Sequence, residues 1–239
     1  SINAVTPSIN MDMWMKGEKG RVLYSLDAPY TNLNGGVTPA KVNIAPDKTP
    51  AIIVRQNDNN AWKVPFVAVF EPYYANEKSV DKISALVDSG SFSALLVESK
   101  PVNTELKGRK EYILNSLDDK SYSVGGEIHF TGGFGIASEN QAGFRYLYLG
   151  SGTMLQNGAY KIEAEGTASA ALQYQNGALT YSANVPVTLT VPYPDAFKGK
   201  RKNLKMLYRL DGKYIEAETE LDHKRKLMKA KVPAGYNIQ

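Results

Sequence analysis

Histidine is rare in this sequence and cysteine is absent, although these two residue types supply much of the acid–base, nucleophilic and metal-binding chemistry of proteins. It holds two histidines, His129 and His223, and no cysteine. Without cysteine there can be no disulfide, no thiolate zinc site and no cysteine nucleophile. A lone histidine in a strand usually faces solvent or makes one hydrogen bond. Two histidines so far apart along the chain do not predict a metal site, and we expect none.

The motifs that build common catalytic and cofactor sites are also absent from the sequence. There is no G-x-S-x-G nucleophile elbow, no P-loop and no H-E-x-x-H. The glycine-rich stretch at residues 132–135 lies among β-prone residues, which indicates tight backbone geometry and not a phosphate cradle. We therefore predict no catalytic residue and no cofactor in this chain.

A run of oxygen-bearing side chains at residues 57–60, Asn-Asp-Asn-Asn, could hold Ca²⁺. It lacks the spacing and the terminal glutamate of an EF-hand loop. A solvated loop is the favoured interpretation.

One carboxylate stands in an unusually apolar setting. Glu71 follows the apolar run at residues 66–70 and precedes Pro72. A carboxylate there is either paired with a basic residue such as Arg55 or placed at a cleft. Because unpaired buried charges are costly, structural pairing is the favoured interpretation.

Tyrosine is the aromatic residue that dominates this chain. There are 15 Tyr, 7 Phe and 2 Trp. A tyrosine ring has an apolar face and a polar tip, so it can stack on sugar rings, although it also covers sheet faces that bind nothing. Trp62, Tyr73 and Tyr74 flank one predicted strand near its ends. With Arg55 and Glu71 they are the predicted carbohydrate-contact residues.

The elements that must position these residues read as β-strands throughout. Apolar residues alternate with polar ones, and Asn157-Gly158, Asn176-Gly177 and Asp211-Gly212 each join two β-prone runs as hairpin turns. Asp222-His223 predicts a fourth hairpin. The sequence therefore predicts an all-β fold with little helix, an antiparallel two-sheet β-sandwich of the super-sandwich type, with barrel closure as the alternative. Residues 80–87 are ambiguous and could form a short helix.

The whole chain, residues 1–239, is predicted to form a single β-sandwich domain. It starts at Ser1 without an initiator methionine or an apolar leader, so we expect a mature form or a C-terminal fragment of a larger protein. No apolar run reaches the roughly 18 residues of a membrane-spanning helix, so no membrane span is expected.

Positive charge is concentrated near the C-terminus. Residues 198–231 contain 12 Lys and Arg against 5 Asp and Glu, whereas the rest of the chain is slightly acidic. Lysines on terminal strands can block edge-to-edge pairing, which is the favoured interpretation. The alternative is a patch for an acidic partner such as an anionic polysaccharide or a membrane surface. No nucleic-acid-binding motif accompanies the charge, so no nucleic acid is expected.

Three stretches together resemble a known family. They are Met-Asp-Met-Trp-Met-Lys-Gly at residues 11–17, residues 53–73 with Ile-Val-Arg-Gln and Pro-Phe-Val-Ala-Val-Phe-Glu-Pro-Tyr, and Arg-Lys-Glu-Tyr-Ile-Leu at residues 109–114. They are similar to the C-terminal β-sandwich region of heparinase II/III-like polysaccharide lyases of the Bacteroidetes type. The resemblance is clearest over residues 11–115 and fades beyond Phe144.

This resemblance implies a partner and a location. In that family an α-helical catalytic domain precedes the sandwich, and an anionic polysaccharide, such as a glycosaminoglycan, binds in the cleft between them. The family's catalytic Tyr and His residues match no position here. The chain is thus expected to be a non-catalytic part of a periplasmic or secreted lyase, with the catalytic α-helical domain and an anionic polysaccharide as partners. A free-standing carbohydrate-binding module and a structural interaction domain are the alternatives.

Overall fold

A computed structural model describes residues 2–3, 9–29, 48–57, 63–75, 77–101, 108–175, 178–194 and 204–238. In these ranges the regular structure is entirely antiparallel β-strand, which confirms the predicted all-β class. None of the described residues forms a helix long and apolar enough to cross a bilayer. The chain divides into two compact units, an N-terminal unit of residues 1–75 and a C-terminal unit of residues 76–239. The single-domain assignment stays a prediction.

The N-terminal unit consists of two small antiparallel sheets. A three-stranded sheet has the order β1-β2-β5, and β3 pairs with β4 as a two-stranded ribbon. The bounds are β1 Ile2–Asn3, β2 Ile9–Met15, β3 Arg21–Pro29, β4 Lys48–Gln56 and β5 Ala68–Tyr74.

The C-terminal unit is built on a sheet to which 12 of its described strands belong. Its main path is β17-β18-β14-β12-β11-β10-β8-β7-β6, and β9, β13 and β19 join at the sides, while β15 and β16 form a separate hairpin. The bounds are β6 Val80–Ser89, β7 Phe92–Ser99, β8 Arg109–Ser116, β9 Ser121–Val124, β10 Ile128–Asn140, β11 Gly143–Asn157, β12 Tyr160–Gln175, β13 Ala178–Ala183, β14 Val187–Pro192, β15 Leu207–Leu210, β16 Lys213–Glu216, β17 Glu218–Asp222, β18 Leu227–Val232 and β19 Gly235–Ile238.

Three long strands, β10, β11 and β12, run through both halves of this sheet. The first half of β10 pairs with β9 and its second half pairs with β8. In the same way β12 pairs with β14 near its start and with β13 near its end. The long strands therefore connect two half-sheets, which are the two layers of the sandwich. The first half-sheet contains β9 and β14, and the second half-sheet contains β8 and β13.

The long strands change register where they pass from one half to the other. In the β10–β11 ladder, Gly132 lies opposite Gly152, with irregularities on both sides. A Cβ on Gly132 would lie 2.3 Å from the Ser151 carbonyl oxygen, and one on Gly152 would lie 2.4 Å from the Thr131 carbonyl oxygen. Bulges of this kind bend strands and increase their twist. The bend thus depends on two glycines whose backbones approach too closely for any side chain.

The half-sheets enclose a single hydrophobic core. In the first half-sheet, one row of cross-strand neighbours runs over β10, β11, β12, β14 and β18, and its side chains point toward the core. A methyl group on Gly135, in the second half, would lie 3.0 Å from the Phe130 ring, so the two layers meet there. Alternate residues along each strand face the core, as the period-two pattern predicted. The inward row is Phe130, Leu155, Ile162, Leu189 and Ala230, all buried.

The predicted hairpins are present, with small differences at the turns. Asp211 and Gly212 both have positive φ, 49° and 77°, as a two-residue turn of this type requires. The turn after β11 uses Gly158 and Ala159, one residue later than predicted, because Asn157 still pairs with Tyr160. Asn176-Gly177 lies outside the described residues, although β12 and β13 pair on either side of it. The ambiguous residues 80–87 belong to β6.

Candidate functional site

The predicted carbohydrate-contact residues fall in the N-terminal unit. Arg55 lies on β4 opposite Val22, and its side chain is exposed. Trp62 lies outside the described residues, as do residues 58–60 of the Asn-Asp-Asn-Asn run, for which a solvated loop is favoured over a Ca²⁺ site. The contact roles of Arg55 and Trp62 therefore stay predictions.

The other three predicted residues lie on β5 but do not share one face. Glu71 lies opposite Asp12 of β2, and the Tyr73 hydroxyl donates a hydrogen bond to Asp12 Oδ1 at 3.2 Å. Tyr74 points to the opposite face and is 61% exposed. The strand thus separates Tyr73 from Tyr74, so they cannot form one flat platform. The pairing of Glu71 with Arg55 stays a prediction.

Each histidine contacts a hydroxyl group. His129 Nδ1 lies 2.8 Å from Ser123 Oγ on the paired strand β9. His223 Nδ1 lies 3.0 Å from the Tyr193 hydroxyl on an exposed turn. Within the described residues, no group of three His, Asp or Glu side chains is placed to hold a metal ion.

A serine–aspartate–tyrosine cluster joins the start of β7 to the turn after β8. Asp118 accepts hydrogen bonds from Ser91 at 2.6 Å, Tyr122 at 2.7 Å and Ser116 at 3.1 Å. Hydrogen bonds from Ser91 and Tyr122 hold the pKa of the Asp118 carboxyl well below its usual range. The aspartate is therefore ionised at neutral pH, accepts the hydrogen bonds that fix the turn, and is a poor base for activating Ser91.

Because of this cluster, we expect the folded state to lose stability as the pH falls into the acid range. The folded-state pKa of Asp118 lies below its unfolded value of about 4, so its contribution is complete above that value and is lost as pH falls toward the folded pKa. We expect Asp118→Asn to lower the melting temperature by several degrees at pH 7, and by less near pH 3. Asp119→Asn, at the exposed neighbouring position, is the control. Equal losses at both pH values would contradict this role.

Lysines near the C-terminus lie opposite glutamates of the neighbouring strand. Glu218 lies opposite Lys231 and Glu220 lies opposite Lys229 across β17 and β18. Lys231 also contacts Glu165 Oε1 at 3.1 Å. A groove of about 400 Å³ beside these strands contains side chains of both signs, including Lys161, Glu163 and Arg225. This pattern favours a structural role for the lysines of β18.

An aromatic depression lies on the outer face of the second half-sheet, the face opposite the core. Tyr148 of β11 is 39% exposed and is flanked in the ladder by Ile136 of β10 and Ala171 of β12. Tyr146 and Gln173 form the next cross-strand pair. Together with Arg145 and Leu147 these residues line a depression of about 360 Å³. It has an apolar floor and a polar rim, as small-molecule sites have.

Sequence reasoning missed this depression. Residues 144–149, Phe-Arg-Tyr-Leu-Tyr-Leu, are β-prone, and the spacing of Tyr146 and Tyr148 in a strand places both on one face. That spacing was the available signal. The small Ala171 beside Tyr148 comes from a strand pairing more than twenty residues away, which local patterns do not specify.

The described part of the C-terminal unit is thus an antiparallel β-domain whose outer face carries an aromatic depression. Residues 80–174 match the family described as endo-acting ulvan lyase C-terminal domain. The endo-acting ulvan lyase of Formosa agariphila is 32% identical over 140 residues. These comparisons relate the chain to the C-terminal domain of a lyase.

The aligned part is 57% of this chain and only 17% of the Formosa protein. No solved structure matches the chain. The family match at residues 80–174 lies entirely in the C-terminal unit, whereas the resemblance seen in the sequence was clearest over residues 11–115.

Proposed function

We propose that this chain is the non-catalytic C-terminal portion of a heparinase II/III-like polysaccharide lyase. In this proposal the N-terminal unit packs on the catalytic domain, and the C-terminal unit lines the cleft for an anionic polysaccharide. The observation that carries it is the match of residues 80–174 to the C-terminal domain of endo-acting ulvan lyase. The Formosa relative is a far longer protein, which is consistent with a catalytic domain as partner. The heparinase-type resemblance further implies a periplasmic or extracellular location.

The surface of the N-terminal unit supports the packing role. One face of the β2–β5 pair carries Met11, Met13 and Met15 opposite Pro72, Phe70 and Ala68. Phe70 is 58% exposed and Tyr74, on the same face, is 61% exposed. Sheets of two or three strands are marginal alone, and methionine-rich faces adapt to varied partners. This face therefore has the composition of an interface.

The ribbon of β3 and β4 shows the same property. Leu23, Tyr24 and Ile53 are each about half exposed. Exposed apolar side chains on both small sheets favour burial of this unit against another domain of the parent protein.

The proposal is tested with the catalytic domain encoded in the same open reading frame. We expect this chain alone to release no unsaturated product from ulvan. We expect the chain, added in trans, to raise the melting temperature of the catalytic domain by several degrees, because it buries apolar surface on both. Phe70→Asp combined with Tyr74→Asp should abolish that increase, whereas Tyr214→Asp, at a 70% exposed tyrosine of the C-terminal unit, should not.

Two results would contradict the proposal. Unsaturated product released by the purified chain would show that it is itself catalytic. An unchanged melting temperature of the catalytic domain at saturating chain would exclude the packing role.

A further inference from the structure

We infer that the aromatic depression around Tyr148 is a binding site for one negatively charged sugar residue of a polysaccharide. The site is separate from the residues predicted from sequence. The inference rests on the proposed function for the class of ligand, because a lyase that works by β-elimination removes a proton next to a carboxylate and so acts on uronate-containing chains. The site itself is argued from its geometry.

The Tyr148 ring is held in a defined position. A methyl group on Gly150 would lie 3.3 Å from Cε1 of Tyr148 and 2.6 Å from Cδ1 of Phe134, so both rings lie over this glycine. The two rings pack edge to face with centroids 6.1 Å apart. Tyr148 therefore leans along its own strand, supported by Phe134. A pre-positioned ring loses little conformational entropy on binding a ligand.

Space for a ligand exists on the other side of the ring. Ala171 is the cross-strand neighbour of Tyr148, and its small side chain leaves the depression of about 360 Å³. That volume is at the lower end of the range for small-molecule sites, which suits one sugar ring and its substituents. The apolar face of a sugar can stack on Tyr148 while its hydroxyl groups point to the rim.

The rim offers the polar groups that such a ligand needs. Gln173 is exposed and carries an amide that can donate and accept hydrogen bonds. Arg145 is half-buried at the rim and lies at a bulge, because the β10–β11 register passes directly from Tyr146 to Phe144, so strict alternation does not send it to the opposite face. No hydrogen bond or ion pair engages its guanidinium in the part of the chain that the structure describes. A guanidinium is suited to a carboxylate or sulfate in a planar, two-point contact. The cation selects for an anionic sugar.

The remaining wall of the site is neutral. The Tyr146 hydroxyl donates to Glu111 Oε1 at 2.8 Å, and burial, followed by the charge of Glu111, raises the pKa of Tyr146 to about 12. Arg109 lies 4.0 Å from the same carboxylate and partly compensates its charge. Tyr146 thus stays protonated at neutral pH and keeps Glu111 engaged, so Arg145 is the charge presented to the ligand.

The test measures binding of ulvan to the complete chain by affinity electrophoresis and calorimetry, with dextran as the uncharged probe and poly-glutamate as the sugar-free polyanion. We expect binding of ulvan and of neither other polymer. Tyr148→Ala should weaken ulvan binding at least about tenfold, as for an aromatic hot spot. Ala171→Leu, which fills the depression and keeps the tyrosine, should have the same effect. Arg145→Gln should weaken binding and reduce its dependence on salt.

Tyr174→Ala is the matched control, because Tyr174 is a 52% exposed tyrosine on β12 that directly follows Gln173 of the depression and so points to the opposite face. This variant should bind ulvan with an affinity within about twofold of that of the unchanged chain. Circular dichroism shows whether each variant is folded, and Tyr148→Phe, which keeps the ring, should retain binding.

Three outcomes would overturn the inference: no binding of ulvan by the unchanged chain, equal binding of dextran or poly-glutamate, or Tyr148→Ala and Ala171→Leu binding as tightly as Tyr174→Ala. Each leaves the proposed function standing, since that proposal is tested by product release and by stabilisation of the catalytic domain. An unchanged melting temperature of the catalytic domain, with ulvan binding intact and no product released, would instead indicate a free-standing module.

Discussion

Replacing Gly152 with alanine is expected to destabilise the C-terminal unit by about 3 kcal/mol, the upper end of the usual cost of overpacking. The new methyl group would lie 2.4 Å from the Thr131 carbonyl oxygen and 2.7 Å from Cα of Gly132. Both neighbours are backbone, so no side-chain rotation relieves the contact, and two paired strands must move apart. Urea unfolding followed by far-ultraviolet circular dichroism measures the loss.

Gly166→Ala is the control for this prediction. Gly166 lies inside β12, and a Cβ there meets nothing within 4 Å. Its substitution should change the free energy of unfolding by less than about 1 kcal/mol. Equal stability of the Gly152→Ala and Gly166→Ala variants would show that Gly132 and Gly152 do not face each other at the bend.

Phe130→Ala is the second substitution with a large expected effect, a loss of about 3–5 kcal/mol in the free energy of unfolding. The ring is fully buried, lies 6.3 Å from the Phe92 ring centroid, and contacts the Gly135 position of the second half-sheet. Its removal leaves a cavity where the two layers meet. Denaturant unfolding monitored by circular dichroism is again the measurement.

A phenylalanine on the same strand provides the comparison. Phe134 lies on the outer face and is only partly buried, so Phe134→Ala should cost about 1 kcal/mol. If Phe134→Ala cost as much as Phe130→Ala, the assignment of inner and outer faces in β10 would be wrong.

Local signals in the sequence were sufficient for the class of fold and for most turns. Alternation identified the strands, and Asp211-Gly212 adopts the positive φ values that its composition predicted. The turn near Asn157 shifted by one residue because the cross-strand pairing with Tyr160 outweighs the turn preference of asparagine. Residues 80–87 were ambiguous because pairing with β7, not local propensity, makes them a strand.

The candidate site was less accessible from sequence for a physical reason. Tyr73 and Tyr74 are predicted as contact residues because they flank one strand near its end, yet adjacent residues in a strand point to opposite faces. Tyr146 and Tyr148 have the spacing that shares a face, but their neighbours Ile136 and Ala171 are supplied by pairing with two other strands. The depression is therefore a property of the sheet register, which long-range pairing determines.

The paths of β10, β11 and β12 have a consequence for how this domain can be divided. The family match ends at residue 174, one residue before β12 ends, and β12 pairs on its far side with β13 and β14. A fragment cut at that point would leave residues 161–163 and 170–174 of β12 without the strands that pair with them, so their backbone groups would form an exposed edge. Such an edge invites aggregation, so a recombinant version limited to the matched region would lack the strands that protect it.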